Sequence, residues 1–214
     1  MTVSAIVPAY NEANRIGSVL SVLNSEKIGE IIVVDDGSTD GTAKVAEQYD
    51  ADIIRLCENK GKAYALQRGV DLARYETLLF MDADLIGLTC SHVEKMLSAY
   101  WEGDSDIVIG VFHNGRLNTD LSQKINPHLS GQRVFSATLW QKANQEEELE
   151  KFGVEIAMTR LIHKERLTTE KVKLEGVTHV MKEEKRGFGK GFLSRLEMYG
   201  NIIKTFFSRH WVKK

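Results

Sequence analysis

Asp82 and Asp84 stand two residues apart behind the apolar run Leu78-Leu79-Phe80-Met81. In an extended segment, residues i and i+2 point to the same side. Two carboxylates aimed together repel unless a cation sits with them. Oxygen ligands suit a hard divalent ion, Mg2+ or Mn2+. Such an ion bridges a diphosphate and neutralises the charge that develops as it leaves. An Asp-x-Asp is common by chance, and alone it reads equally well as a solvated acidic turn. Its place at the end of a buried run is what points to chemistry.

Three more polar clusters occupy the same kind of place. Pro8-Ala9-Tyr10-Asn11-Glu12 closes the run that begins at Val3, and Asp35-Asp36-Gly37-Ser38 follows Ile31-Ile32-Val33-Val34. Glu58-Asn59-Lys60-Gly61-Lys62 follows Asp52–Leu56. Ligands of an open parallel sheet bind beyond the carboxyl ends of its strands, so the clusters describe one rim and one site. A carboxylate at Asp35 or Asp36 can accept hydrogen bonds from a base or a ribose. Turn and N-cap chemistry accounts for the Gly, Ser and Thr behind them, but not for two adjacent acids.

The elements that must hold this rim alternate along the first half. Strands are expected at Val3–Pro8, Glu30–Asp35, Asp52–Leu56, Thr77–Met81 and Ile107–Val111. Helices are expected at Ala13–Leu23, Thr42–Tyr49 with Ser38 or Thr39 near its cap, Lys62–Ala73, and from a capping box at Ser91-His92-Val93-Glu94 to Tyr100. This alternation predicts an α/β fold, a mostly parallel sheet with helices on both faces. Beyond Val111 the pattern predicts a loop over Phe112–Leu129, helices over Ser130–Ala143 and Gly153–Lys164, and short strands at Lys171–Leu174 and Val177–Met181. A charged, Gly-bearing loop, Lys182–Gly191, then leads into an amphipathic helix, Phe192–Phe207.

Val7-Pro8-Ala9-Tyr10-Asn11-Glu12, Val33-Val34-Asp35-Asp36-Gly37-Ser38-Thr39-Asp40, Asn59-Lys60-Gly61-Lys62-Ala63 and Phe80-Met81-Asp82-Ala83-Asp84 together resemble the motifs of glycosyltransferase family 2. The resemblance implies a GT-A fold, Rossmann-like in its sheet, and a nucleotide-sugar donor such as a UDP-glucose or GDP-mannose type. It implies that Pro8, Tyr10, Glu12 and Asp36 line the nucleotide pocket, that Lys62 lies near base or ribose, and that Asp82 and Asp84 hold ribose, metal and diphosphate. Ser130-Gly131-Gln132-Arg133, Phe152-Gly153-Val154-Glu155 and Gly176-Val177-Thr178-His179-Val180-Met181-Lys182 resemble a narrower group, the glucosyl-3-phosphoglycerate synthase-like enzymes. That likeness implies Gly131, Gln132 and Arg133 on the acceptor side, and His179 completing the metal site with Asp84.

The residues add their own readings. Glu155 opens a helix, where the dipole favours an acid; for an inverting transfer it is the candidate base, and a retaining transfer needs none there. Gly131 falls at the start of an expected helix, whose free N–H groups favour an anion, and Arg133 can fork onto the same group. With Arg116, Lys124 and His128 in the preceding loop, this predicts a phosphate- or carboxylate-bearing acceptor, either a phosphorylated acid or a polyprenyl phosphate. The loop Lys182–Lys190 is expected to close over the diphosphate.

The chain has 214 residues, 43% hydrophobic and 27% charged, which reads as one globular domain. Its parts are a donor half (1–111), an acceptor half (112–190) and the C-terminal helix (191–214). Cys57 and Cys90 are expected to be free thiols. No basic n-region or membrane-length apolar run is present, so a cytoplasmic protein is expected. The net charge of −2 gives no reason to expect a nucleic-acid partner. It hides a tail, Lys182–Lys214, with nine Lys/Arg against three Glu. That tail is expected to meet an anionic membrane surface or a second subunit, unless it packs on the chain's own core. Among other classes, a nucleotidyltransferase wants a Gly-rich loop where Pro8–Glu12 stands, and a dehydrogenase wants GxGxxG there. A silent nucleotide-sugar-binding module is set apart only by absence of turnover.

Overall fold

The computed structural model describes residues 2–113, 130–145 and 153–179. The strands are β1 (Val3–Ala9), β2 (Ile28–Asp35), β3 (Asp52–Arg55), β4 (Thr77–Phe80), β5 (Leu85–Ile86), β6 (Ile107–His113), β7 (Arg133–Ser136), β8 (Thr169–Glu175) and β9 (Thr178–His179). The helices are α1 (Ile16–Leu23), α2 (Thr42–Ala46), α3 (Lys62–Leu72), α4 (Cys90–Glu102), α5 (Ala137–Asn144) and α6 (Val154–Glu165). One compact unit is Met1–Thr178; the chain from His179 to Lys214 is a second. The expected loop at 182–190 and helix at 192–207, with Arg116, Lys124 and His128, lie outside the described residues.

Seven strands form one sheet in the order β3-β2-β1-β4-β7-β6-β8, and β5 and β9 form a separate two-stranded sheet. The pairs β1–β2, β2–β3, β1–β4 and β6–β8 are parallel. β2 is buried from Glu30 to Asp35, as its unbroken apolar run requires for a strand covered on both faces. One face carries Val3, Ala5 and Val7 of β1 against Ile16, Val19, Leu20 and Leu23 of α1 and Val93, Met96 and Leu97 of α4. The other carries Ile6, Val34 and Phe80 against Leu66 of α3, Trp140 of α5 and Met158 of α6. Trp140 is fully buried packing, edge-on to Phe80 at 5.0 Å between ring centroids.

The main departure from the sequence reading lies at 130–143. The helix expected over Ser130–Ala143 begins only at Ala137, where the Leu139 N–H donates to Ser136 Oγ at 3.2 Å as its N-cap. The preceding Arg133–Ser136 is β7, antiparallel to both β4 and β6. Val134 and Phe135 are buried in opposite faces of the sheet, so a period of two, not 3.6, governs them. Gly131 therefore precedes a strand, and the helix N-terminus expected to hold an anion there does not exist.

Smaller corrections concern caps. Helix α2 is capped by Gly41 in the left-handed region (φ 88°), not by Ser38 or Thr39. Helix α4 is capped two residues early: Thr89 takes the His92 N–H, and the Thr89 N–H donates to His92 Nδ1 at 3.2 Å. Burial pushes the buried His92 imidazole below its ordinary value of 6.5, and Lys95 adds to this, while Glu175 opposes it. A histidine held low in the fold is protonated more readily when unfolded. Its contribution is therefore present above about pH 6.5 and is lost as pH falls below that value. Gln can close the same capping box without titrating. His92→Gln is thus expected to leave the melting temperature at about pH 7.5 within a few degrees of the parent, and to flatten its fall toward about pH 5.5. Thermal scans of both proteins across that window check this.

Candidate active site

The loops after β1 and β2 are stitched together by short polar side chains. The Asn11 N–H donates to Ser38 Oγ and the Thr39 N–H to Asn11 Oδ1, both at 2.9 Å. The Glu12 N–H donates to Thr42 Oγ1 at 2.8 Å. Asn11 holds φ 56°, a left-handed conformation that Asn tolerates better than most residues. Gly37, at φ 75°, lies against the next loop: a Cβ there would sit 2.6 Å from the Glu58 carbonyl carbon.

Asp36 also has a role that its place in the sequence did not suggest. It is buried, and its carboxylate accepts the Lys60 N–H at 2.7 Å and the Gly61 N–H at 2.9 Å. Both oxygens thus fix the turn that opens α3, and Lys62 is the first residue of that helix. Asp36→Ala would leave two N–H groups without this acceptor, which costs about 1–3 kcal/mol, and would loosen Lys62. Asp36→Asn, with one acceptor oxygen, is expected to lie between parent and Ala in both melting temperature and nucleotide affinity. Equal affinity in all three would refute a positioning role for Asp36.

The second half of the chain reaches the rim through β7. Phe80 of β4 pairs with Arg133 of antiparallel β7, so the residues just before Arg133 lie beside those just after Phe80. The Gln132 side-chain amide donates to Asp82 Oδ2 at 2.8 Å. Lys62 Nζ stands 2.7 Å from Asp82 Oδ1 and 2.7 Å from Glu155 Oε1. Glu155 comes from the first turn of α6, as expected, behind Gly153 at φ 89°. The Gly131 backbone closes against this pair: a Cβ there would collide with Asp82 Oδ2 and lie 2.8 Å from Lys62 Nζ. Asp82, Lys62, Gln132 and Glu155 thus meet from four elements, beside the β1–β4 junction where the strand order reverses. Such switch points are where open α/β sheets bind ligands.

The charges of this group depend on one another. Burial acts to lower the Lys62 pKa, but the carboxylates of Asp82 and Glu155 outweigh it and hold the ammonium above its usual range. Burial acts to raise the Glu155 pKa, and Lys62 more than reverses that, leaving it low. Arg133 is 1% exposed and donates from Nε to the Ser130 carbonyl at 2.9 Å. Burial brings its guanidinium down to about 10, against the pull of Glu155 and Asp82, so it is a cation at neutral pH. The oxyanion clamp expected of Arg133 would therefore have to act from a buried guanidinium.

The remaining expected residues are spread more widely. Pro8 lies in β1, and Tyr10 beyond its end is 42% exposed. Glu12 is buried and accepts Arg15 NH1 at 3.2 Å. Asp84 is half-buried, two residues past Asp82, and His179 ends β9 and opens the second unit. Sequence reasoning missed Arg15, Ser38 and Thr42 as partners, although a Ser and a Thr behind paired acids were a usable sign. Among the described residues, no three His, Cys, Asp or Glu side chains group closely enough to hold a metal ion. The cation between Asp82 and Glu155 is the Lys62 ammonium. The oxygen donors nevertheless suit a hard ion, and with phosphate oxygens added they would make a fitting set. Cys57 and Cys90 are exposed free thiols. No helix among the described residues is long and apolar enough to cross a membrane.

Known proteins share this architecture. The chain is 34% identical over 119 residues to the uncharacterized glycosyltransferase YfnE of Bacillus subtilis (strain 168), covering 52% of this chain and 30% of that protein. It is 37% identical over 101 residues to the 4,4'-diaponeurosporenoate glycosyltransferase of Staphylococcus aureus (strain USA300), covering 44% of this chain and 27% of that one. The chain thus spans about a third or less of these relatives' length. The crystal structure of glucosyl-3-phosphoglycerate synthase from Mycobacterium tuberculosis with Mn2+, uridine diphosphate and glucosyl-3-phosphoglycerate superposes with a TM-score of 0.71. That match has 24% identity and covers 100% of this chain and 81% of that one. The same enzyme with Mg2+ and uridine diphosphate gives a TM-score of 0.71 at 24% identity, covering 100% and 80%. The fold is the GT-A fold that the motifs implied. The model of glycosyl transferase family 2 matches residues 4–169, and the chain belongs to that family.

Proposed function

We propose that the chain transfers a hexose from a nucleotide-diphosphate sugar to an acceptor bearing a phosphate or carboxylate. The observation that carries this reading is the meeting of Lys62, Asp82, Gln132 and Glu155 at the sheet's switch point. Residues expected on the donor side and on the acceptor side touch there, as group transfer demands. The Mycobacterium tuberculosis enzyme's complexes with Mn2+ or Mg2+ and uridine diphosphate support the donor class by likeness of fold.

In this reading Pro8, Tyr10, Glu12 and Asp36 shape the nucleotide end, with Asp36 acting through the loop that carries Lys62. Asp82 meets the ribose and diphosphate side, and Asp84 and His179 are the residues to hold Mg2+ or Mn2+. That ion supplies neutralisation of the departing nucleoside diphosphate. Glu155, kept low by Lys62 while the site is empty, anchors that lysine and is the candidate base for an inverting transfer once the nucleotide draws Lys62 away. Gly131 and Gln132 face the acceptor, and Arg133 contributes charge from behind them. A small phosphorylated acid and a polyprenyl phosphate share that chemistry.

A thermal-shift panel of UDP, GDP, ADP and their sugars, with and without Mn2+, tests the donor. A ligand at about 100 times its Kd adds about 2.7 kcal/mol. A nucleotide sugar is expected to stabilise the chain only with the ion present; no shift with any of them would overturn the reading. For the acceptor, transfer to phosphorylated acids is compared with transfer to their neutral analogues. Equal use of both would remove the anionic acceptor and leave the donor intact.

A further inference from the structure

Both oxygens of Asp82 are engaged: Oδ1 by the Lys62 ammonium and Oδ2 by the Gln132 amide. The same ammonium reaches Glu155, 93 residues along the chain. Lys62 is hemmed in. Its backbone opens α3 behind the turn that Asp36 fixes, and Gly131 closes one flank too tightly to admit a Cβ. Its four-carbon stem is still flexible enough to carry the charge elsewhere. Two carboxylates brought to one point would repel, and a cation between them removes the conflict.

We propose that Lys62 is the resident counter-cation of the donor site, holding Asp82 and Glu155 while the site is empty and making it reject a divalent ion that arrives without its nucleotide. This rests on the donor reading above. An ion approaching Asp84 alone finds the neighbouring Asp82 carboxylate already neutralised and an ammonium that repels it. A nucleoside diphosphate changes that balance, because its phosphates give Lys62 a new anionic partner and bring further oxygen ligands for the ion. The ion and the nucleotide therefore bind together, and metal-first binding is suppressed. Lys62 is a positioning residue in this sense, and its effect is readable without turnover.

The test is Mn2+ alone, titrated into the full chain and followed by the loss of the free-ion electron paramagnetic resonance signal. The parent is expected to bind Mn2+ weakly. Lys62→Met is expected to bind it about tenfold or more tighter, since an adjacent opposite charge moves carboxylate equilibria by one to three decades. Lys62→Arg, which keeps the charge, is expected to restore weak binding. Should Lys62→Met fail to fold, Lys62→Gln keeps a hydrogen bond to the carboxylates and carries the same expectation. Mn2+ affinity unchanged in the neutral variants, or raised equally in Lys62→Arg, would overturn the proposal. The donor reading is judged separately on the parent: no thermal shift with UDP, GDP or ADP plus Mn2+ would sink that reading, whereas a clear shift with unchanged Mn2+ affinity in the variants would sink only the role of Lys62.

Discussion

Asp84→Ala is expected to lower kcat/KM by about a thousandfold, the upper end of what removing one preorganised electrostatic contact costs, while the fold survives. Asp84 follows β4 by four residues and is half-buried, outside both apolar clusters. Its loss therefore leaves no core cavity. In the proposed reading it removes a hard oxygen ligand from the point where the departing diphosphate gathers charge. Asp82→Ala should behave differently, because Asp82 also holds Lys62 and Gln132; it is expected to lose stability along with activity. The paired measurements are melting temperature without ligand and nucleotide affinity in saturating Mn2+. Unchanged affinity in Asp84→Ala would remove Asp84 from the metal site. Equal destabilisation by both substitutions would show that the Lys62 and Gln132 contacts contribute nothing.

The first half of the chain was legible because its signals are local. Each cluster there closes a strand, and strands of a parallel sheet deliver their ends to one rim whatever the lengths between them. The run Ile31–Val34 could only be a strand covered on both faces, and β2 is one. The segments beyond Val111 gave no such signal. Val134 and Phe135 sit between two residues that fit a helix as well as a strand, and only antiparallel pairing with β4 and β6 decides the matter. Register, too, was hidden. Nothing in the spacing of Lys62 and Glu155 shows that they share a proton-rich contact across 93 residues. The second role of Asp36 was hidden for a related reason. A carboxylate at a strand end reads as a ligand for substrate, and nothing local shows that two N–H groups of its own chain also donate to it.

Gly131→Ala is expected to lower kcat/KM by about a hundredfold, the scale on which a misplacement of about 1 Å in a positioned group is felt. Gly131 does not owe its place to a left-handed backbone, since it is not among the residues with positive φ. The demand is steric. The added Cβ would collide with Asp82 Oδ2, lie 2.9 Å from Asp82 Cγ and stand 2.8 Å from Lys62 Nζ. The lysine tip can retreat along its flexible stem, but Asp82 is short and held by Gln132. Either the carboxylate turns away and loses Gln132 and Lys62, or the chain before β7 moves and Gln132 goes with it. Both outcomes displace the cluster of Lys62, Asp82, Gln132 and Glu155. Overpacking of this kind costs about 1–3 kcal/mol in stability, so a modest fall in melting temperature should accompany the larger loss of activity. Gly41→Ala is the informative control. No atom lies within 4 Å of its added Cβ, but its backbone is left-handed, so it should lose stability with little change in kcat/KM. If Gly131→Ala instead followed the control, with activity within about twofold of the parent, the contact between Gly131, Asp82 and Lys62 would have no part in catalysis.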